Sequence, residues 1–448
     1  MRLRATPVLL AAAGVAVAIA SCGPTTPPAP PEPVAAVPPA PVPGPGIIDS
    51  AAAGRPAAPL PPDTVVSTSD IRIGLVVGAR EVRLGGGGPL VVADPAGVRL
   101  LDIIEGATWA VRPAGGGMAL AGPAGLDGGR ADALVVTPLH PGQFVRVDGR
   151  DYRGEVALIP GPEGLTAVNR LGLESYLAGV LSAEMGRRDS TDVEAMYAQA
   201  VVSRTYAVKN LGKRRGLGFD LYGTVSDQVY GGVGAETAMS WDAVRATRAE
   251  IVEWNGKPID AFFYSTCGGR TESGAAVFQL AGDPYLKSVS DLDANGLAYC
   301  RISPRFRWRE EYSGDGLETM LQRTLPGLSS VRAAAIQQVE EVKVSRRTAS
   351  GRVDAVEFRV SGRRVTVTGQ AVRRAFLLPD GGMLRSTAFD VQERADGSRV
   401  SWLAIDGRGA GHGVGFCQWG AVGRAREGQS YRQILAAYYP STTVARLN

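Results

Sequence analysis

Histidine is almost missing from this 448-residue chain, where His140 and His412 are the only two. A His-rich metal centre is therefore excluded. Lysine is scarce too, with Lys209, Lys213, Lys257, Lys287 and Lys343 set against 43 arginines, a bias read as genome composition rather than function. Neither sign of charge dominates, since 48 basic residues face 44 acidic ones. Two of the excess, Arg2 and Arg4, lie in a segment expected to be removed. What remains is too small for the electrostatic footprint of a nucleic-acid-binding protein, so no such partner is expected. Internal repeats are absent. Long apolar runs are absent as well, apart from Val8–Ala20. The composition that is present, 45% hydrophobic and 21% charged, excludes wholesale disorder. The length predicts two or three domains.

The first 62 residues read as an address and a tether. A positively charged start, the apolar run Val8–Ala20 and the small-residue end Ile19-Ala20-Ser21-Cys22 make an export signal over residues 1–21, too short to span a bilayer comfortably. The ending resembles a bacterial lipoprotein signal, in which Cys22 becomes the acylated first residue of the mature chain. Two or more acyl chains there would hold the protein at a membrane. Residues 24–62 carry 15 of the 30 prolines, so residues 22–62 are expected to form an extended spacer without a core. The expected location is the cell envelope, lipid-anchored after export, on the periplasmic side in a Gram-negative cell.

Beyond the spacer, short β-type runs such as Ile71–Val77, Glu81–Leu84, Leu90–Val92 and Ala133–Val136 alternate with Gly-rich turns. They predict a small β-rich domain over residues 63–160. Gly85–Gly88 lack the strand–GxGxxG–helix setting of a dinucleotide loop and read as a hairpin turn; His140 reads as a turn residue. A mixed α+β domain is expected over residues 161–448, with a β/α subdomain inserted at about 310–395. Leu173, Tyr176, Leu177, Val180, Leu181 and Glu184 fall on one helical face that Gly186 closes. A second helix follows, with Thr191 and Glu194 as a capping box and a polar stripe of Gln199, Ser203 and Tyr206 beside Arg204.

Glu184 breaks its pattern. It stands on an apolar face where Leu is expected, in the last turn of its helix. Desolvation and the negative end of the helix dipole both disfavour the carboxylate. A carboxyl kept neutral near pH 7 is what a general acid requires. The alternative is a Glu at the helix edge paired with Arg187, Arg188 or Arg204, which would pull its pKa back down.

Five ordered blocks carry a resemblance. They are Leu173–Met185 (LESYLAGVLSAEM), Glu194–Ala207 (EAMYAQAVVSRTYA), Ser226–Gly232 (SDQVYGG), Tyr264–Ser273 (YSTCGGRTES) and Gly411–Ala421 (GHGVGFCQWGA). From about residue 160 to its end the chain resembles the SpoIID/LytB family. The resemblance implies a peptidoglycan lytic transglycosylase acting on peptide-stripped glycan strands, with Glu184 as its catalytic acid. A lytic enzyme uses the muramic acid's own C6 hydroxyl as nucleophile and leaves a 1,6-anhydro end, so one carboxyl suffices where hydrolysis needs two. Asp227 is the candidate second carboxylate if the reaction is hydrolysis. Gln199, Ser203, Arg204, Tyr206, Gln228, Tyr230, Ser265, His412 and Gln418 are candidates for sugar contact, with core stitching as the alternative. LytB-type relatives imply another role, a glycan-binding enhancer of a cell-wall amidase.

Cys267, Cys300 and Cys417 remain once Cys22 is acylated. A disulfide is the default in an exported protein, and Cys267–Cys300 is the expected pair. Zinc held by the three cysteines and His412 is the rival. Some family members hold zinc near the block matching Thr266–Ser273, with additional His and Cys around it. Tyr264, Glu272 and Ser273 stand there instead, so no metal is expected. A Cys417–His412 nucleophile pair lacks an orienting third residue.

Overall fold

The computed structural model describes residues 70–280 and 282–447. The export signal, Cys22 and the spacer lie outside the described residues. Among those described, no helix is long and apolar enough to cross a membrane.

The opening runs form two sheets. One has the strand order Leu221–Tyr222, Asp70–Ala79, Gly164–Gly172, Glu155–Gly161, Leu134–Pro138, Leu90–Ala93, Arg99–Ile103. The other runs Arg150–Tyr152, Val145–Val147, Val82–Gly86, Trp109–Ala114, Gly117–Ala121, Asp127–Ala131. Buried and open positions alternate along strands such as Leu90–Ala93, as expected where one face of a sheet meets a core. Gly85 and Gly86 correct the expected hairpin. They belong to a strand and pair with Arg146 and Val145, and the chain then bends through Gly87 and Gly88 into the other sheet. His140 does sit in an exposed turn.

No break falls at residue 160. Gly164–Gly172 lies between Asp70–Ala79 and Glu155–Gly161, so the sheet crosses the expected boundary. One continuous core runs from Ile71 and Ile73 through the following helices to Tyr439. The helices are α1 (Leu173–Met185), α2 (Val193–Lys209), α3 (Ala238–Ala246), α4 (Gly274–Phe278), α5 (Gly314–Thr324), α6 (Val372–Ala375), α7 (Gln418–Arg426) and α8 (Tyr431–Tyr438). α2 is the central one, packed against α1, α3, α7, α8 and the strand Glu250–Trp254. The expected capping box at its start is not formed. Asp189 receives the Thr191 N–H, and Glu194 accepts the Tyr431 N–H at 2.6 Å instead.

The inserted part has its own core, built on Leu317, Leu321, Phe358, Phe376 and Leu403. Val339–Arg347, Val353–Val360 and Arg363–Thr368 form one antiparallel sheet. Arg399–Arg408 pairs with Arg307–Ser313 on one side and Phe389–Asp396 on the other to form a second. The overall class is α+β, rich in strands.

Arg204 shows how the middle of α2 tolerates polar residues. It has no exposed surface, and its Nε and Nη2 donate to the two carboxylate oxygens of Glu174 at 2.9 and 2.6 Å. Nη1 donates to the Glu250 carbonyl at 3.1 Å. Removing one partner of such a pair strands a buried charge. Glu174→Gln is therefore expected to lower unfolding stability by about 3 kcal/mol in urea titration; a change under about 0.5 kcal/mol, the scale of an exposed pair, would show the pair to be dispensable.

Candidate active site

Glu184 lies in the last turn of α1, which ends at Gly186 with φ +70°. Its side chain is half-buried between two other segments. The Val229 N–H donates to Oε1 at 2.6 Å, and the Gln418 side-chain amide faces Oε2 at 3.5 Å. Among the described residues no salt bridge reaches Glu184. Arg204 is taken by Glu174, and Arg188 lies over the Trp419 ring, 4.2 Å from its centroid. Burial pushes the Glu184 carboxyl above the ordinary carboxylate range, and the Val229 and Gln418 donors pull it back part of the way. These neutral donors hold the group in place without the full penalty a cation would impose on its protonated form.

A close approach of backbone sets this geometry. A Cβ on Gly179 would lie 2.6 Å from the Tyr230 ring, so only glycine lets the segment from Gln228 to Tyr230 press onto α1. The Gly231 N–H then donates to the Gly179 carbonyl at 3.0 Å. Behind it, Tyr176 donates to Gln228 Oε1 at 3.1 Å and Tyr230 donates to Asn169 Oδ1 at 3.0 Å. These bonds fix Val229 one residue from each anchor.

Most of the polar residues expected to meet sugar are building this frame. Gln199, Ser203, Arg204 and Gln228 have no exposed surface, and Tyr230 has almost none. Gln199 donates to Ser203 within α2. Asp227, the candidate second carboxylate, is enclosed: it accepts from Tyr206 at 2.9 Å and the Tyr222 N–H at 2.9 Å, and pairs with Arg214 at 2.8 Å. Tyr206 is half-buried and committed to that bond. His412 uses both nitrogens, Nε2 with the Phe263 carbonyl at 2.9 Å and Nδ1 with the Val414 N–H at 3.1 Å. Burial lowers its pKa to about 4, so it is a neutral fastener of the Gly-rich loop. Each of these side chains is engaged with another group of the protein.

Gln418 and Ser265 stay at the site. Gln418 opens α7 beside Glu184, and the Ser265 carbonyl accepts the following Trp419 N–H at 3.0 Å. Residue-by-residue reading missed the Val229 N–H, because a backbone donor leaves no mark in a side-chain pattern. It also missed the half-buried Trp419, whose position beside Gln418 was the available signal. A cleft of about 350 Å³ lined by Lys209, Trp254, Lys257, Asp260 and Tyr285 includes none of these groups.

The expected Cys267–Cys300 disulfide is not formed. All three cysteines are buried and free, with Cys267 and Cys300 sulfurs 3.4 Å apart.

Comparison with known proteins agrees with the resemblance, and the family model covers the first three blocks. A family model described as Stage II sporulation protein (SpoIID) matches residues 162–254, and a domain of unknown function (DUF8618) matches residues 297–415, which takes in the inserted subdomain. An uncharacterized protein of Brachyspira hyodysenteriae is 33% identical over 306 residues, covering 67% of this chain and 74% of that one. The chain belongs to the SpoIID/LytB family. Stage II sporulation protein D of Bacillus subtilis is 28% identical over 62% of this chain and 76% of its own length. The Amidase enhancer of the same organism is also 28% identical, over 60% of this chain but 40% of its own length.

The raised pKa of Glu184 carries a stability signature. A folded-state pKa above the unfolded value means the folded protein binds more protons between the two. Stability from this group is full below about pH 4 and is lost as pH rises through the folded pKa. Glu184→Gln is thus expected to be more stable than the parent at pH 7, the gap closing toward pH 4 in urea titrations. An equal or lower stability of the variant at pH 7 would contradict the desolvation argument.

Proposed function

We propose that this SpoIID/LytB member is a peptidoglycan lytic transglycosylase, with Glu184 as its single acid/base. The observation that carries the reading is the half-buried Glu184 carboxyl, held by the Val229 N–H and Gln418 and free of any ion pair among the described residues. In the protonated state it donates to the glycosidic oxygen between MurNAc and GlcNAc as the C1–O bond breaks. The carboxylate then takes the proton of the muramic C6 hydroxyl, whose oxygen bonds to C1 and closes the 1,6-anhydro ring. Protons balance, and the group ends as it began, able to act again.

The enclosure of Asp227 supports intramolecular attack over hydrolysis. Hydrolysis needs a second carboxylate to activate water or to attack the sugar. Asp227 meets Arg214 and two further donors and has none of its side chain exposed. Acylation of Cys22 after export, with the proline-rich spacer, would let the enzyme reach glycan away from a membrane. A second reading has the chain bind glycan and enhance a cell-wall amidase, as the name of the Bacillus relative suggests.

Purified protein is expected to release 1,6-anhydro-muramyl fragments from amidase-treated peptidoglycan, detected by mass spectrometry. Glu184→Gln should remain folded and lose about 100-fold or more of that activity. Full activity in the variant would sink the assignment. Strand binding without product, together with faster amidase turnover, would establish the enhancer reading instead.

A further inference from the structure

Cys267, Asp291, Cys300 and Cys417 come from four separate parts of the chain and meet behind the site. Cys267 follows the short strand Phe263–Tyr264, and Cys300 sits in the 3-10 turn Tyr299–Ile302. Cys417 ends the strand Phe416–Cys417 and caps α7. All four are buried, and one ligand atom from each lies within 4.8 Å of the others. We propose that these four residues hold a zinc ion that pins the base of the Gln418 segment. The assignment is independent of the reaction given to Glu184.

The donors fit the ion. Zinc takes four ligands tetrahedrally, with Zn–S near 2.3 Å, which sets sulfurs about 3.8 Å apart. The Cys267 and Cys300 sulfurs are 3.4 Å apart, and Cys267 Sγ is 3.1 Å from Asp291 Oδ2. Three thiolates with one carboxylate form a soft, closed set suited to a structural site.

The surroundings are arranged as a second shell. Asp291 Oδ1 accepts from Tyr438 at 2.8 Å and from Arg424 Nε at 3.1 Å, which leaves Oδ2 aimed at the sulfurs. Orienting bonds of this kind are what ligating carboxylates carry. Backbone N–H groups of Cys267 and Gly420 point at Cys417 Sγ, at 3.1 and 3.2 Å, and that of Gly269 points at Cys267 Sγ at 3.2 Å. A neutral thiol is a weak acceptor, so three buried amides spent on two sulfurs suit metal-bound thiolates better. Gly420 clears the space: a Cβ there would fall 2.3 Å from Asp291 Oδ2 and 2.1 Å from the Tyr438 oxygen. No metal was expected from the sequence, and His412, the fourth ligand in the rival zinc reading, has both nitrogens engaged elsewhere; Asp291 stands with the cysteines instead. Binding displaces the thiol protons and ties Cys417, and with it Gln418, to the core.

Untagged full-length protein purified without chelator is expected to contain about one zinc per chain. Cys267, Cys300 and Cys417 should then react with an alkylating agent only after chelator and denaturant are added, with no reductant needed. Cys417→Ser should lower zinc content tenfold or more. Tyr438→Phe keeps the ring and removes one bond to Asp291, and should weaken zinc retention against a competing chelator by about 10-fold or more. If a variant fails to fold, the parent protein still decides the matter. A Cys267–Cys300 disulfide with no bound metal would overturn the proposal, as would three reduced thiols that take up no Zn²⁺ in anaerobic titration.

Discussion

A carboxyl group at the end of α1 is largely withdrawn from water and met by two neutral donors, with no ion pair to it among the described residues. The rest of the candidate site is organised around that condition. An arginine in the same place would make Glu184 a permanent carboxylate, useful for binding and useless as an acid. Three arginines are occupied elsewhere: Arg204 by Glu174 at the far end of the helix, Arg188 by the Trp419 ring, Arg214 by Asp227. Their pairing elsewhere is what keeps the Glu184 carboxyl free to change protonation.

The polar residues of the family blocks gain a different meaning in this light. Residues such as Gln199, Arg204, Asp227, Gln228 and Tyr230 look like a glycan-binding row because they are polar and recur at helical or motif spacing. In the folded protein they are an internal scaffold: Arg204, Asp227, Gln228 and Tyr230 are bonded to other parts of the chain, and Gln199 to Ser203 in its own helix. Buried polar groups must find partners, and once they do they define one arrangement of the backbone around them. That scaffold delivers a single backbone amide, Val229, to within 2.6 Å of the acid. The position of the Glu184 carboxyl is thus set through residues bonded inside the protein.

The cysteines follow the same logic on the opposite side of Gln418. Cys417 and Gln418 are neighbours in sequence, one facing the buried cluster and the other facing Glu184. One peptide unit therefore separates the buried cluster from a neighbour of Glu184. The inserted subdomain has its own core and is joined to this region through Arg352, whose guanidinium donates to the Cys267 carbonyl at 2.6 Å.

Periodicity alone disclosed α1, its stop at Gly186 and the misplaced acid within it, because a helical face and a glycine terminator are local properties. It also disclosed the separate texture of the inserted subdomain, whose strands Val353–Val360 and Arg363–Thr368 alternate plainly. The residue blocks were enough to name the family. Sequence could not say that Gly85 and Gly86 extend a strand, that the sheet runs past residue 160, or that Asp291 rather than His412 stands with the cysteines. Nor could it separate polar residues that face outward from those that pair inside. Each of these depends on which distant segments meet, and such meetings are decided only when the whole core is packed.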